Sequence, residues 1–566
     1  MRRTFLARTF GSLLALAVGG LAVGCGSSAR SHLSTPGAVA SAAPDATAAG
    51  VAVLRDGGNA IDAAVAVAIA LAVVHPAAGN LGGGGFAVVR SGGEEFALDF
   101  RETAPAAARP DMYLDSNGET RPGASTIGPL AAGVPGSPTG YFELQRRFGR
   151  LRWPQVVEPA IRLARDGFTV TARLAREIDE SRGVLALFPS TAAVWLPGGR
   201  SPEAGARVHL PRLAALLAEY AERGPTAFTT GPTAVAIEAA SRRYGGVLTA
   251  SDLAAYRPVW REPLRFEAFG WRIAGMPLPS SGGVILAETC GMLERLGWTA
   301  SAPGSADRLH LLAEAWRRAF ADRTLLGDPA STRAVEADLL APSWLDRRAR
   351  EIDRAHATPS SNVLPWPATP TAEHDETTHL SVVDGEGNAV ALTTTLNESF
   401  GCGLLVPELE VLLNNEMDDF ATAPGRPNLY GLIQGEANAV APGKRMLSSI
   451  APTIAWRGGE VLALGAPGGP RIPTATLQVL LAVVVDGLDL EAAVACPRVH
   501  HQWLPDQLVA EPGALAADVR AELMRRGHVL GERLVIGEVE VARRSARGRL
   551  EAAADRRGPG SAVALP

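Results

Sequence analysis

HDETTHLSVVDGEGNAVALTTTLNESFG, residues 374–401, is the stretch that decides the fold, because it predicts a β-hairpin with threonines at both of its open ends. The run LSVVD is apolar and β-branched, GEGN has the chemistry of a turn, and AVALTTTL resumes the strand pattern. A hairpin that carries hydroxyl groups at its open end is a candidate site as well as a structural element.

The register of this hairpin brings two threonines together. A turn at residues 384–388 pairs Val383 with Ala389 and therefore places Thr377 opposite Thr395. A register shifted by one residue would still leave the two hydroxyls close to each other. Threonine also favours strands for packing reasons alone, so this pairing by itself leaves a structural role as open as a catalytic one.

The first 24 residues predict a signal peptide of the lipoprotein type. A basic segment, MRRTFLARTF, precedes an apolar one, GSLLALAVGGLAVG, that is too short to span a bilayer. LAVGC resembles a lipobox, which implies lipidation of Cys25, with plain secretion as the alternative, and RRTFL resembles a twin-arginine export signal. We therefore expect an exported protein, periplasmic or at the cell surface and anchored by lipid.

The remaining chain divides into a helical part and a strand-rich part. Residues 25–44 are predicted to be a mobile tether, and residues 45–376 a helix-rich unit that ends in a flexible linker at 355–376. Within it, residues 45–58 and 59–74 predict two helices, the second opened by Asn59 and apolar nearly all round. Strand patterns dominate after residue 377, which indicates an α+β fold.

Composition and motifs exclude several classes of function. The formal net charge of −5, without clustered cations, argues against a nucleic-acid partner. GNLGGGGF is not followed by the Lys-Ser/Thr of a nucleotide loop, so its glycines indicate tight backbone packing against a sheet. Cys290, Cys402 and Cys496 are interpreted as structural, and His500 and His501 lack a third ligand at metal spacing, so no metal is expected.

A threonine that follows a linker and begins a strand has a specific chemical use. If the peptide bond between Glu376 and Thr377 breaks, the Oγ and the new α-amine belong to one residue, and the amine can act as general base for its own hydroxyl. In that cleavage the Oγ attacks the Glu376 carbonyl, an ester forms, and water releases it. The Thr395 hydroxyl can hydrogen-bond the Thr377 Oγ and hold its rotamer.

The chain closely resembles the γ-glutamyltransferase (glutathione hydrolase) family over residues 45–560. Eight segments carry the resemblance at family-like spacing: DGGNAIDAAVAVAIALAVVHPAAGNLGGGGF, LDFRETAP, PLPSSGGV, TTHLSVVDGEGNAVALTTTLN, LLNNEMDDF, LSSIAPTI, GAPGGPRI and PRVHHQWLPD. The resemblance implies a four-layer αββα sandwich of the N-terminal-nucleophile hydrolase type, made as a precursor. It implies self-cleavage between Glu376 and Thr377 into a large subunit and a small catalytic subunit, 377–566, that stay together as a heterodimer.

The resemblance also implies the residues of the site. Thr377 matches the nucleophile and Thr395 its hydroxyl partner, and Gly468 and Gly469 match the backbone donors to the oxyanion. The substrate is then glutathione or another γ-glutamyl compound, the acceptor is water, an amino acid or a dipeptide, and no cofactor is required. The resemblance assigns the α-carboxylate of the substrate to Arg101, Ser448 and Ser449. It assigns the α-ammonium to Asn397, Glu416 and Asp419, and it places Tyr430 in a lid.

Three other interpretations remain open. A cephalosporin (glutaryl) acylase shares the nucleophile, but its acyl chain has no amine and would leave Glu416 and Asp419 unpaired. A depolymerase of poly-γ-glutamate needs an open groove, which the Tyr430 lid segment disfavours. An inactive, lipid-anchored binding protein has no physical reason to keep Thr377, Thr395 and the two glycines.

Overall fold

The threonine hairpin lies in the middle of a large antiparallel sheet. In this computed structural model of the 566-residue chain, the structure describes residues 36–332, 335–364, 376–421 and 436–566. In those ranges the strands are β1 Gly37–Ser41, β2 Gly84–Ser91, β3 Glu94–Asp99, β4 Phe168–Thr169, β5 Arg207–Val208, β6 Val259–Arg261, β7 Leu264–Ala268, β8 Trp271–Gly275, β9 Glu376–Asp384, β10 Ala389–Asn397, β11 Leu405–Val406, β12 Val411–Leu412, β13 Thr453–Arg457, β14 Glu460–Gly465, β15 Val499–His500, β16 Leu508–Ala510, β17 Leu530–Glu532, β18 Glu540–Arg544, β19 Leu550–Ala553 and β20 Ser561–Ala564.

Helices occupy most of the first part of the chain, as its periodicity predicts. They are α1 Pro44–Arg55, α2 Ala60–Val74, α3 Ser137–Phe148, α4 Trp153–Asp166, α5 Ala172–Glu180, α6 Arg182–Leu185, α7 Pro189–Trp195, α8 Pro211–Arg223, α9 Thr226–Thr229, α10 Gly231–Arg243, α11 Ala250–Ala255, α12 Gly282–Arg295, α13 Ala306–Asp322, α14 Val335–Leu339, α15 Pro342–Arg350, α16 Arg471–Val484, α17 Leu490–Ala495 and α18 Ala517–Arg525. Short 3₁₀ turns lie at Pro129–Ala131, Pro197–Gly199, Trp298–Ala300, Arg323–Leu325, Ser360–Asn362, Glu416–Asp419 and Glu436–Asn438.

Two antiparallel sheets form the centre of the fold. One has the strand order β20-β1-β9-β10-β2-β3-β6, and the other has the order β19-β18-β14-β13-β8-β7. They pack face to face, with β9 against β14 and β18, over a shared apolar core. Helices α1 and α2 cover the outer face of the first sheet, and α12 and α16 cover the second. This arrangement confirms the expected four-layer αββα sandwich.

Helix α2 shows why the sequence folds in this way. The Asn59 side chain accepts from the backbone N–H groups of Ile61 and Asp62, and Asp62 bonds back to the Asn59 N–H, which completes a capping box. The helix is buried on nearly every side, between the hairpin on one face and α1, α3 and α4 on the others. Its boundaries and its all-round apolar surface confirm the prediction.

Two predicted boundaries are wrong. The tether expected at residues 25–44 is too long, because Gly37–Ser41 forms β1, which is buried between β9 and β20. The linker expected at 355–376 is too long at its start, because the Ser360 N–H donates to Asp506 over 2.7 Å and its hydroxyl donates to the Trp503 carbonyl over 2.6 Å. Both segments gain their order from partners far away in sequence, which local composition does not reveal.

Some sequence-based expectations lie outside the described residues. These are the signal peptide, the lipidation of Cys25, the lid residue Tyr430 and most of the linker. Of the helices that the structure does describe, none combines the length and the apolarity needed to cross a membrane.

Candidate active site

One small pocket gathers nearly all the predicted site residues. It has a volume of about 250 Å³ and lies between the two sheets, where β9 begins and β10 ends. Its walls come from five separate chain segments: Arg101; Thr377, Thr395 and Asn397; Glu416 and Asp419; Ser448, Ser449 and Ile450; and Gly469 and Ile472. Gly468 lines a neighbouring pocket instead, and Tyr430 and the Glu376 side chain are outside the described residues.

The hairpin register is confirmed up to its open end, where a bulge intervenes. Val383 pairs with Ala389 as predicted, but the register shifts between Thr394 and Asn397. The predicted direct pairing of Thr377 with Thr395 is therefore wrong in detail, because Thr395 and its neighbour together face Thr377. Bulges re-aim side chains at strand ends, and this one is stabilised by a 2.7 Å bond from the Asn397 N–H to the Thr395 Oγ.

Thr377 points into the space between the sheets because side chains alternate along β9. His379 shares its face and contacts the Thr393 hydroxyl at 2.7 Å and the Ser381 hydroxyl at 3.0 Å. Burial lowers the pKa of His379 to about 3, so the ring stays neutral over the physiological range. His379 packs between the two sheets and so fixes the position of β9, the strand that carries Thr377.

Asn80, which sequence reasoning did not select, fixes the other strand. Its amide donates to the Thr395 carbonyl over 2.7 Å and to the Thr394 hydroxyl over 2.9 Å. Glycines after Asn80 let the backbones touch, since a Cβ on Gly83 would lie 2.2 Å from the Thr395 carbonyl oxygen and one on Gly85 2.2 Å from that of Thr393. This confirms the packing role predicted for the glycine run, and the signal for Asn80 was its place two residues before the first glycine of that run.

Among the described residues that line the pocket, Arg101 is the one cation, and it is fully buried. Its two terminal nitrogens donate to Glu416 and to Asp419, which lie on the 3₁₀ turn at 416–419. Burial alone would lower the pKa of Arg101, but the carboxylates of Glu416, Asp419 and Glu102 together raise it above its ordinary value. The guanidinium is therefore permanently charged, as a clamp for a carboxylate must be.

Glu102 is a second residue that the sequence did not single out. It is fully buried, one of its oxygens lies 3.9 Å from the Arg101 guanidinium, and within the described ranges neither oxygen has a hydrogen-bond partner. Burial raises the pKa of Glu102 to about 8, and burial also raises the pKa of Glu416 well above its ordinary value. Burial therefore favours the protonated form of both Glu102 and Glu416.

Ser448 and Ser449 form another part of the pocket wall. Ser281 holds them in place, since its hydroxyl donates to the Ser448 carbonyl over 2.8 Å. The Ser448 hydroxyl accepts from the Ile450 N–H at 3.2 Å, whereas the Ser449 hydroxyl is buried without a partner among the described residues. An unsatisfied hydroxyl on a pocket wall is suited to receive a polar group of a ligand.

Two glycines connect β14 with helix α16 beside the nucleophile. Gly468 and Gly469 have φ values of +127° and +55°, a region that side-chain-bearing residues rarely adopt. The Arg471 and Ile472 N–H groups bond to their carbonyls at 3.1 Å and 3.0 Å, which turns the glycine segment into the first turn of α16. A negative oxygen at this helix terminus would be favoured by the helix dipole.

The paired histidines have structural partners. His500 contacts the Thr474 hydroxyl and the Gln502 side chain, each at 2.8 Å, and His501 accepts from the Trp503 N–H at 3.0 Å. In the described part of the chain no group of three or more potential ligands is arranged to hold a metal ion. The three cysteines of the body are free thiols, with Cys290 and Cys402 buried.

Comparisons with known proteins agree with this geometry. A family model described as Gamma-glutamyltranspeptidase matches residues 46–565. The chain is 42% identical to the glutathione hydrolase proenzyme of Escherichia coli over 92% of this chain and 90% of that protein. It is also 42% identical to the glutathione hydrolase proenzyme of Pseudomonas aeruginosa, over 96% and 97% of the two chains. A cephalosporin acylase from Bacillus halodurans superposes with a TM-score of 0.82 at 27% identity, over 94% of this chain and 96% of the acylase.

Proposed function

The chain belongs to the γ-glutamyltranspeptidase family, and from that premise we propose that it is a self-processing γ-glutamyltransferase and glutathione hydrolase with Thr377 as its nucleophile. The observation that carries the proposal is the pocket in which Thr377 meets a buried guanidinium, two carboxylates and the Ser449 hydroxyl, which has no partner among the described residues. These groups complement the charges of an α-amino acid, and the nucleophile stands beside them.

Self-cleavage comes first in the proposed sequence. The Thr377 Oγ attacks the Glu376 carbonyl, the C–N bond between the two residues breaks, and the nitrogen takes up the hydroxyl proton to become a free α-amine. Water then hydrolyses the ester and leaves a carboxylate on Glu376.

Acyl transfer uses the amine that cleavage releases. The amine takes the Thr377 hydroxyl proton while the Oγ attacks the γ-carbonyl of the donor, whose oxygen becomes negative near Gly469. The C–N bond of the donor breaks, the proton passes to the departing amine, and a γ-glutamyl ester remains on Thr377. Water, or the amine of an amino acid or dipeptide, attacks this ester and regenerates the hydroxyl.

The charged walls position the γ-glutamyl group. Arg101 and the Ser449 hydroxyl are the partners for its α-carboxylate, and Glu416, Asp419 and Asn397 are the acceptors for its α-ammonium. The Ser448 hydroxyl, which only accepts in its bond with the Ile450 N–H, donates to the same α-carboxylate. The small size of the pocket supports a single γ-linked residue and disfavours an open groove for a polymer.

The proposal is tested by intact-mass measurement of the purified protein. Thr377→Ala should stay as one chain, while the wild type gives two fragments, the smaller running from Thr377 to Pro566. Thr378→Ala is the matched control, because its buried hydroxyl has no partner among the described residues and points to the opposite face of β9. A wild type that stays uncleaved and inactive on γ-glutamyl donors would instead favour a binding protein.

We also propose that the mature protein acts outside the cytoplasm, anchored through a lipid on Cys25. The support is the leader sequence alone, with its basic start, apolar segment and LAVGC motif. Membrane fractionation with labelled palmitate tests it, since Cys25→Ser should lose the label and leave the membrane fraction. Label retained by that variant would rule out the anchor.

A further inference from the structure

One chain segment connects two walls of the Thr377 pocket, the acidic turn at 416–419 and the serines. It runs from residue 437 to residue 447, and we refer to it as the connector segment. It follows the acidic turn in sequence and leads directly into Ser448 and Ser449. All of its residues are described, and none of them lines the pocket. Its contacts can therefore act on the walls but not directly on a bound substrate.

Asn438 joins the two walls through its buried side-chain amide. The Nδ2 group donates to the Asp419 carbonyl over 2.6 Å, and the Oδ1 accepts from the Leu447 N–H over 2.9 Å. A carbonyl and an N–H as partners determine which way the amide points. The Ala421 N–H also donates to the Asn438 carbonyl over 2.9 Å. Because Leu447 directly precedes Ser448, one planar amide fixes the spacing between Asp419 and the serine hydroxyls.

Lys444, the only lysine of the chain, holds the backbone on both sides of Asn438. Its ammonium donates to the Ala437 carbonyl over 2.6 Å and to the Ala439 carbonyl over 2.9 Å. A compact ammonium can donate to two carbonyls that converge on one point, whereas a guanidinium presents its donors in a rigid planar fork. Lys444 therefore orients the residue that lies between those two carbonyls.

The connector segment is also bonded to the strand end that carries Arg101. The Gly443 N–H donates to the Ala104 carbonyl over 3.0 Å, and the Ala104 N–H donates to the Lys444 carbonyl over 2.8 Å. Ala104 lies three residues after Arg101. The segment thus contacts the chain at each group of charged or hydroxyl side chains that is proposed to hold the γ-glutamyl group.

We propose that Asn438 is a positioning residue for acyl transfer and that Lys444 keeps it in place. Asn438 sets the spacing between the partners of the substrate's α-ammonium and those of its α-carboxylate, so that the pocket favours a donor that carries both groups. This inference rests on the proposed function, since it gives Asn438 a part in holding the γ-glutamyl group. Self-cleavage uses neither set of partners, because its reacting atoms are the Thr377 Oγ and the Glu376 carbonyl.

The test is Asn438→Ala, measured with γ-glutamyl and glutaryl anilides. Both donors have the carboxylate, and only the γ-glutamyl donor has the ammonium. In the variant Ser281 still holds the serine wall, whereas Asp419 loses the bond that positions it. We expect KM for the γ-glutamyl anilide to rise about tenfold while kcat stays within about twofold of the wild type. The preference for this donor in kcat/KM should fall from about a hundredfold to about tenfold.

Two further variants assign the effect to the connector segment. Asn362→Ala is the matched control, because Asn362 also ends a three-residue 3₁₀ turn but is exposed and outside the pocket. It should keep the wild-type KM and donor preference. Lys444→Arg retains the positive charge but replaces the compact ammonium by a fork, so it should raise KM for the γ-glutamyl anilide in the same direction as Asn438→Ala.

Intact mass shows whether each variant still folds and processes itself. Asn438→Ala should be cleaved between Glu376 and Thr377 as completely as the wild type. A variant that stays uncleaved overturns the restriction of Asn438 to acyl transfer.

The kinetic results decide the rest. A cleaved Asn438→Ala with wild-type KM and donor preference, or with a loss in kcat alone, overturns the positioning role and leaves the proposed function intact. A Lys444→Arg enzyme that matches the wild type overturns the part given to Lys444. A wild type that hydrolyses neither anilide overturns the proposed function and this inference with it.

Discussion

Replacing Arg101 by glutamine tests the electrostatic account of the pocket. The guanidinium is fully buried and pairs with Glu416 and Asp419, and Glu102 lies 3.9 Å away. Without it, Glu416, Asp419 and Glu102 lose the positive charge of a guanidinium that all three share. Breaking a buried pair from one side costs about 3–5 kcal/mol, because the remaining charge is left uncompensated.

The same cost can be expressed as a melting temperature. Residues 34–566 form one compact unit, whose unfolding entropy at ordinary values per residue is about 1.1 kcal/mol per kelvin. Arg101→Gln should therefore lower Tm by about 3–5 °C. Adding Glu416→Gln should restore part of that loss, because it removes one of the unpaired charges.

Calorimetry of these variants in a Thr377→Ala background keeps every chain uncleaved, so that differences in processing do not enter. The control is Arg200→Gln, an exposed arginine, which should leave Tm unchanged. The reasoning is refuted if Arg101→Gln melts within about 1 °C of its parent, or if Glu416→Gln lowers Tm further. In the cleaved enzyme, Arg101→Gln should raise KM for glutathione by about a hundredfold, as the loss of a bidentate charged contact implies.

Three further predictions follow from the packing around the pocket. Glu102, with an ordinary pKa of 4.5 raised to about 8 by burial, is protonated in the folded chain but ionised in the unfolded chain between these values. Its contribution to stability is therefore complete below pH 4.5 and is lost as the pH rises through about 8. Glu102→Gln should make Tm depend less on pH between these values. An unchanged dependence of Tm on pH would contradict the burial argument. Gly82→Ala should lower Tm by several degrees, because its Cβ would lie 1.9 Å from a carbonyl oxygen. The control Gly183→Ala, whose Cβ would have no atom within 4 Å, should leave Tm unchanged. Equal Tm values for the two variants would disprove the close approach. Asn80→Ala should reduce kcat about tenfold with little change in KM, because it releases the Thr395 backbone without touching the charged walls, and steady-state kinetics that show only a KM effect would count against this role.

The elements that could be predicted from sequence are those whose information is local. Helix α2 carries its own cap at Asn59 and its own all-round apolar surface, and the hairpin carries its turn between two alternating strands. The glycine run after Asn80 was interpreted correctly as a packing device because glycine is the only residue that permits backbones to touch. At the site, motif resemblance supplied residues that composition alone would leave as a solvated acidic turn or a helix cap.

The elements that sequence missed depend on distant partners. Strand β1, GAVAS, has small side chains and no strong alternation, and it becomes a central strand only because β9 and β20 flank it. The bulge at Thr395 is set by the bond from the Asn397 N–H, and this single inserted residue has no signature in the hairpin pattern. Glu102 looks like an ordinary surface acid until the fold buries it behind Arg101. Non-local pairing and burial are the two properties that a local pattern does not contain.

The distribution of charge in the pocket determines which acyl donors it can accept. Before a ligand binds, Arg101 is paired with the same carboxylates that are proposed to hold an ammonium group, Glu416 and Asp419. A zwitterion can exchange partners with this cluster: its carboxylate takes the guanidinium while its ammonium takes the carboxylates, and no buried charge is left alone. A glutaryl donor has the carboxylate but no amine, so it would leave those carboxylates unpaired, at about 1–3 kcal/mol for each group. Hydrolysis of γ-glutamyl and glutaryl anilides should therefore differ by about a hundredfold in kcat/KM in favour of the γ-glutamyl donor, and the opposite preference would identify the chain as an acylase despite its acidic turn.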